Sequence, residues 1–306
     1  MRERTPFPRG LISHLPNLKL LLTTGERNAS FDLDACAACG ISVTGTPLHP
    51  PGVSATASST LPDGTPSPDS TTEHCVSMML ALARGLARDD RVVKTGAGWQ
   101  TGWATCMAGK TVAMLGLGRI GTAVARIMRV AFGMTVIAWS PNLTQERADE
   151  QAAAAGLATR DAHNVPTFCV VSREELFQRA DIMSVHMVLS DRSRGLVTAA
   201  ELSMMKSTAF LVNTSRGPLV VEDDLFDALE KGTIAGAALD VFDVEPLPHA
   251  SRWRTTAWGE DGRADVLLAP HMGYVDKDTF EAWYSMQADN VERWLAGQEL
   301  HTQLRK

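Results

Sequence analysis

Apolar runs recur at regular intervals through the second half of the chain: TVAML at 111–115, MTVIAW at 134–139, DIMSVH at 181–186, AFLVN at 209–213, AGAALDV at 235–241 and DVLLAP at 265–270. Their near-continuous hydrophobicity predicts strands buried on both faces of a parallel sheet, and the longer stretches between them carry helical spacing. The expected fold class is α/β, a doubly wound parallel sheet of the Rossmann type. Upstream, LKLLLTTG (18–25) predicts a strand, and FDLDACAACGISVTGT (31–46) a short helix, a turn at Gly40 and another strand. A second, smaller α/β domain begins there.

Ser70 and Glu73 have capping-box spacing ahead of Val76, Met79, Leu80, Leu82 and Ala83, which predicts a buried helix running to about residue 90. The glycine-rich TGAGWQTG at 95–102 marks a domain boundary. Near the end, DKDTFEAWYSMQADNVERWLAG (276–297) puts Phe280, Trp283, Tyr284, Val291, Trp294 and Leu295 on one helical stripe closed by Gly297, a helix suited to pack back on the first domain. The reading is therefore residues 1–94 with 275–306 as one domain and 95–274 as the other. Residues 45–72 hold six prolines and almost no large apolar side chains, so they read as a flexible surface insertion. Residues 158–167 and 251–264 read as loops without chemistry.

Composition narrows the function. With 44% hydrophobic and 21% charged residues among 306, the chain has enough material for two globular domains. A net charge of -6 without basic blocks argues against a nucleic-acid partner. No apolar run approaches the roughly 18 residues of a membrane span, and the N-terminus lacks the apolar core of a secretory signal, so no membrane partner and a cytoplasmic location are expected. Five cysteines are too few and odd for a disulfide framework. Cys36 and Cys39 form a C-x-x-C without the further ligands zinc requires; they read as helix-surface thiols, and no metal is expected.

The sequence AMLGLGRIGTAVARIM (113–128) places Gly116, Gly118 and Gly121 between a predicted strand and a predicted helix. Each glycine costs backbone entropy, and this context gives each a use: a tight turn, close approach of backbone to a pyrophosphate, and close helix–strand packing, with helix N–H groups facing the anion. Arg119 can add a charge to the same phosphates, and Ile120 belongs to the same turn. Ser140 follows the next strand, where an acidic residue would hold ribose hydroxyls in an NAD site. Without that carboxylate, NAD and NADP both stay open.

Ligands of an open parallel sheet sit beyond the carboxyl ends of its strands. Three ends carry charged or titratable residues: Arg216 in AFLVNTSRGPLV, Asp240 and Glu245 in ALDVFDVEP, and His271 in LLAPHMGY. His74, beside Glu73, reads as a packing or capping residue, and His186 as a strand-end residue offering backbone contacts near the cofactor cleft.

GLGRIG, VNTSRGPLV, ALDVFDVEP and APHMGY stand in the order and approximate spacing of the D-isomer-specific 2-hydroxyacid dehydrogenases. With TTGERNASFDL, TEHCVSMMLALAR and GWQTG, the chain resembles that family, of the glyoxylate/hydroxypyruvate reductase kind, over roughly residues 8–46 and 72–298. The resemblance implies hydride transfer between NAD(P)H and a small 2-oxo acid. In it Arg216 binds and polarises the substrate, His271 is the acid/base and Glu245 its partner. It further implies that Asp240 and Thr214 join the cofactor set, that the loop around Gly25, Arg27 and Asn28 caps the substrate carboxylate, and that two copies pair through the cofactor domain. The planar Arg fork suits adjoining carboxylate and ketone oxygens, and an imidazole beside a carboxylate titrates where proton transfer needs it.

Against that family, the substrate domain, flavodoxin-like by resemblance, reads as N-terminally shortened. Two alternatives accompany the reductase: a dinucleotide-sensing, co-repressor-like binding protein, and an inactive truncated member.

Overall fold

The computed structural model describes residues 5–26, 28, 30–47 and 67–305. It divides into two compact units, Met1–Thr60 with Val275–Lys306, and Leu61–Tyr274.

In the larger unit, seven strands lie in the order β5-β4-β3-β6-β7-β8-β9, every pairing parallel; in the smaller unit β1 (Leu20–Leu22) and β2 (Ser42–Thr44) pair parallel, and β10 (Gln303–Arg305) joins β2 antiparallel. The seven are β3 (Thr111–Leu115), β4 (Thr135–Trp139), β5 (Phe168–Val170), β6 (Ile182–Val185), β7 (Phe210–Asn213), β8 (Gly236–Leu239) and β9 (Asp265–Leu268). Alternate side chains enter opposite cores. Ala113 and Leu115 of β3, Met183 and Val185 of β6, and Leu211 of β7 pack on one face; Val112, Met114, Ile182, Phe210 and Val212 pack on the other. Period-two alternation with both sides apolar explains why these strands read as continuous hydrophobic runs. The order reverses between β3 and β6, and a doubly wound sheet opens its crevice at that point.

The helix Arg119–Phe132 buries Gly121, Val124, Ala125 and Met128, the one-stripe spacing that seats a helix on a sheet. It ends at Gly133 in the left-handed conformation, φ 64°, the common glycine stop.

Several elements differ from the sequence reading. The strand β5 lies at the sheet edge; its three residues follow a stretch read as loop and are too short to show a period. The helix expected to reach about residue 90 is two helices, Ser70–Ala83 and Leu86–Thr95, separated by Gly85 at φ 64°. Its cap is Asp69, whose side chain accepts from Thr72 N at 2.8 Å, not Ser70. Both helices fall in the larger unit, on the other side of the expected 94/95 boundary, because Met78, Met79 and Leu82 join the core beneath that sheet. The 251–264 stretch is packed, not a bare loop: Trp253 is buried and stacks on Trp258, with ring centroids 5.7 Å apart.

In the smaller unit, Ile12, Leu21, Phe31, Ala35, Cys36, Ile41 and Val43 form a separate core. Cys36 is thus interior, whereas Cys39 is exposed. The last helix, Lys277–Leu295, buries Trp283 with two polar residues, Gln287 and Asn290. Tyr284 and Leu295, expected on the apolar stripe, are exposed. The polar pair is satisfied: Gln287 donates to Thr23 O, and Asn290 Nδ2 to Thr44 Oγ1 at 3.2 Å. Most of the proline-rich insertion and Arg27 lie outside the described residues.

Candidate active site

The nucleotide turn is built as its glycines predict. Gly116 ends β3 at φ 101°, and a Cβ there would stand 2.8 Å from His186 O, so both conformation and space demand glycine. A Cβ at Gly121 would overlap the Gly116 carbonyl oxygen. At Gly118 the situation is opposite. An added Cβ would meet nothing within 4 Å, and Gly118 caps the helix Arg119–Phe132 without any side-chain cap. An open glycine face with uncapped helix amides beside it is what a pyrophosphate would occupy, so these residues fit a dinucleotide.

Arg119 is engaged elsewhere: it pairs with Asp69. Burial pushes the Asp69 carboxyl up, but its bond and charge contact with Arg119 and its cap on Thr72 outweigh this and hold it below the usual range. Ile120 is half-buried against the core, and Ser140 follows β4 directly.

Beneath the turn lies a buried polar string. Ser184 Oγ is 2.8 Å from His186 Nε2, and Cys75 Sγ is 3.7 Å from Ser184 Oγ. Burial lowers the His186 pKa to about 4 and pushes the Cys75 thiol up, so at neutral pH this string is uncharged. Thr214, one residue past β7, is buried, and its side chain meets the Cys75 thiol.

The charged candidates follow three neighbouring strands. After β7, Asn213 braces its loop by donating to Arg216 O at 2.9 Å and accepting from Ser215 N at 3.1 Å. This leaves the Arg216 guanidinium exposed, donating to Ser215 O. After β8, Glu245 Oε1 accepts from Phe242 N at 2.9 Å. After β9, His271 Nδ1 lies 2.8 Å from Glu245 Oε2, both side chains about one-seventh exposed at 15% and 14%. Gly217 joins the first loop to the second, since a Cβ there would overlap the Phe242 backbone.

An imidazole that gives Nδ1–H to a carboxylate presents Nε2 as its working nitrogen, and the adjacent negative charge favours the imidazolium. His271 itself sits at φ 60°, the left-handed region, a conformation that costs a side-chain-bearing residue roughly 1–2 kcal/mol.

Asp240 does not face an open cleft. It is 1% exposed, accepts from Met272 N at 2.7 Å and Gly273 N at 3.0 Å, and has His74 Nε2 3.2 Å from Oδ1. The sequence reading gave Asp240 to the cofactor and His74 to packing; within the chain, both Asp240 oxygens accept from the turn after His271. The available signal was the spacing of Ser70 and His74, one helical turn apart, since Ser70 Oγ also reaches this turn, donating to Gly273 O at 3.1 Å.

In the smaller unit, Gly25 adopts φ 83° and donates its N–H to Thr46 Oγ1 at 2.8 Å. Asn28 Nδ2 donates to Thr23 Oγ1 at 2.9 Å and its Oδ1 accepts from Ser30 N. The two residues flank Arg27 in sequence.

Comparison with known proteins agrees with this architecture. The sequence model described as D-isomer specific 2-hydroxyacid dehydrogenase, NAD binding domain, matches residues 76–273. The chain is 34% identical over 296 residues to a glyoxylate reductase of Aeropyrum pernix, covering 94% of this chain and 76% of that protein. It is 30% identical over 289 residues to a glyoxylate reductase of Thermofilum pendens, covering 92% and 74%. The solved structure of a phosphoglycerate oxidoreductase from Vibrio cholerae is 29% identical and superposes with a TM-score of 0.76 over 97% of this chain and 82% of that one.

Proposed function

The chain belongs to the D-isomer specific 2-hydroxyacid dehydrogenase family, and on that premise we propose that it reduces small 2-oxo acids such as glyoxylate or hydroxypyruvate with NADH or NADPH. The observation that carries the reading is the His271–Glu245 pair, 2.8 Å apart, at the same sheet end as Arg216. A dinucleotide held through its pyrophosphate by the turn of Gly116, Gly118 and Gly121 would supply the hydride from its reduced nicotinamide. Arg216 holds the substrate carboxylate and draws electron density from the ketone oxygen. The His271 imidazolium gives its Nε2 proton to that oxygen, and Glu245 stabilises the charged imidazole before the transfer. In the reverse direction Nε2 takes the hydroxyl proton back.

The intact proton-transfer pair favours this enzyme over a binding protein that only senses dinucleotide. We assign nucleotide binding and the three charged groups to the larger unit, and the loop at Gly25, Arg27 and Asn28 to the substrate carboxylate. The test follows the loss of reduced-nicotinamide absorbance with NADH and NADPH against a panel of 2-oxo acids. Turnover of at least one is expected; a folded, cofactor-binding sample that turns over none overturns the reading.

The same reading includes a cytoplasmic homodimer. Among the described residues no helix is long and apolar enough to cross a membrane. Leu86 and Val93, each 56% exposed, precede Trp99 at 74% and Trp103 at 98%, four exposed apolar side chains of the larger unit that a second copy would cover. Sedimentation is expected to show a dimer, and Trp103→Arg to shift it toward monomer at micromolar concentration. A wild-type monomer would remove the assignment.

A further inference from the structure

We propose that His74 and Asp240 are positioning residues for proton transfer: a buried polar contact that holds the backbone after His271 in the turn aiming its imidazole. The proposal rests on the reductase reading above.

His271 occupies a left-handed conformation, and such strain persists only where surrounding groups over-determine it. Three do. The two amides that follow it are taken by the two oxygens of Asp240, at 2.7 and 3.0 Å, and the carbonyl of Gly273 is taken by Ser70 Oγ at 3.1 Å. Asp240 and the helix start pack directly on this turn: a Cβ on Gly273 would stand in contact, 3.4 Å from both Asp240 Oδ2 and Thr71 Cγ2.

Asp240 accepts both amides well only as an anion, and a buried anion without a counter-charge is unstable. Among the described residues, His74 is the cation-forming side chain within ion-pair distance of it, 3.2 Å. The His74 side chain supports the Asp240 carboxylate through a hydrogen bond as well as through charge. The remaining ionisable neighbour, Cys75, is fully buried with its thiol pushed up by burial and by Asp240, so it stays neutral and adds no second negative charge. Burial pushes the Asp240 carboxyl up, but His74 and the two amides outweigh it and hold it below the usual range. With the His74 donor removed, the buried carboxylate takes a proton, one oxygen becomes a donor facing an amide N–H, and the turn relaxes. His271 then leaves its line with Glu245 although neither residue has changed.

Two substitutions separate positioning from packing. His74→Phe fills the space without a charge or a donor; His74→Gln restores an N–H. Expected for His74→Phe is a kcat lowered by about tenfold or more, with KM for the 2-oxo acid and the NADH dissociation constant within about twofold. His74→Gln is expected to recover most of the loss. Equal falls in both variants, or wild-type kcat in His74→Phe, would overturn the proposal. Should His74→Phe not fold, Ser70→Ala removes only the contact to Gly273 O. A kcat reduced by about threefold at unchanged melting temperature is then expected, and an unchanged kcat counts against the clamp. If the wild-type protein reduces no 2-oxo acid, the reductase reading fails by itself. Imidazole NMR shifts of His271 still decide the clamp, moving in His74→Phe and holding in His74→Gln.

Discussion

His271→Ala is expected to lower kcat/KM for 2-oxo acid reduction by on the order of 10³-fold, the scale of a positioned general acid. The NADH dissociation constant should stay near wild type, because the glycine turn sits at a different strand end, after β3 rather than β9. Glu245→Gln is the more informative companion. The carboxylate accepts twice, from Phe242 N and from His271 Nδ1, whereas an amide offers one accepting and one donating end. Glutamine therefore satisfies one of the two N–H groups and sets its NH₂ against the other, so it loses orientation as well as charge. Expected are a kcat lowered by about one to two orders of magnitude and a high-pH limb of the rate profile displaced toward lower pH, because the imidazolium has lost its counter-charge. Both effects are read from steady-state rates across pH. Wild-type rates in His271→Ala would remove the proton donor from the mechanism.

The second large effect separates two glycines two residues apart. Gly116→Ala forces a Cβ onto a backbone at φ 101° and to within 2.8 Å of His186 O, a carbonyl in the loop that leaves β6. The expected cost is about 2–4 kcal/mol. For a lobe of this size it lowers the melting temperature by roughly 5–10 °C, with dinucleotide binding lost alongside. Gly118→Ala meets nothing within 4 Å and has φ -82°, so its melting temperature should match wild type. Its Cβ would nevertheless fill the open face against which the pyrophosphate lies, and the NADH dissociation constant is expected to rise by about tenfold or more. Calorimetry on the two variants provides both readouts. Equal melting temperatures for the pair, or unchanged affinity in Gly118→Ala, would contradict the assignment of the turn.

What the chain discloses in one dimension follows from where each partner lies. The parallel sheet, the glycine turn and the three charged strand ends are local patterns: a buried strand is a run of apolar residues, and the residue that leaves its carboxyl end faces the crevice. The cap at Asp69, the splitting of the helix at Gly85 and the short edge strand β5 are local too, but too brief or too ambiguous to separate from their neighbours. Ser70 and Glu73 have capping spacing, yet Ser70 bonds Gly273 instead. The roles of Asp240 and His74 are of another kind. Asp240 stands beside the nucleotide crevice in topology, but its partners are amides thirty-odd residues later and an imidazole far earlier in the chain. The buried Gln287 and Asn290 defeat the hydrophobic-stripe reading for the same reason, since their acceptors, Thr23 and Thr44, lie in the first strands of the smaller unit.

The glycine turn, Arg216, Glu245 and His271 all belong to Leu61–Tyr274, each mounted on a strand end of a single continuous sheet. The groups proposed for the hydride and proton steps therefore share one sheet, and the loop proposed to cap the substrate carboxylate belongs to the other unit. On the proposed assignment, substitutions in the loop at Gly25, Arg27 and Asn28 are expected to change which acid is accepted more than they change the proton-transfer pair, which is anchored to the sheet by its own backbone contacts.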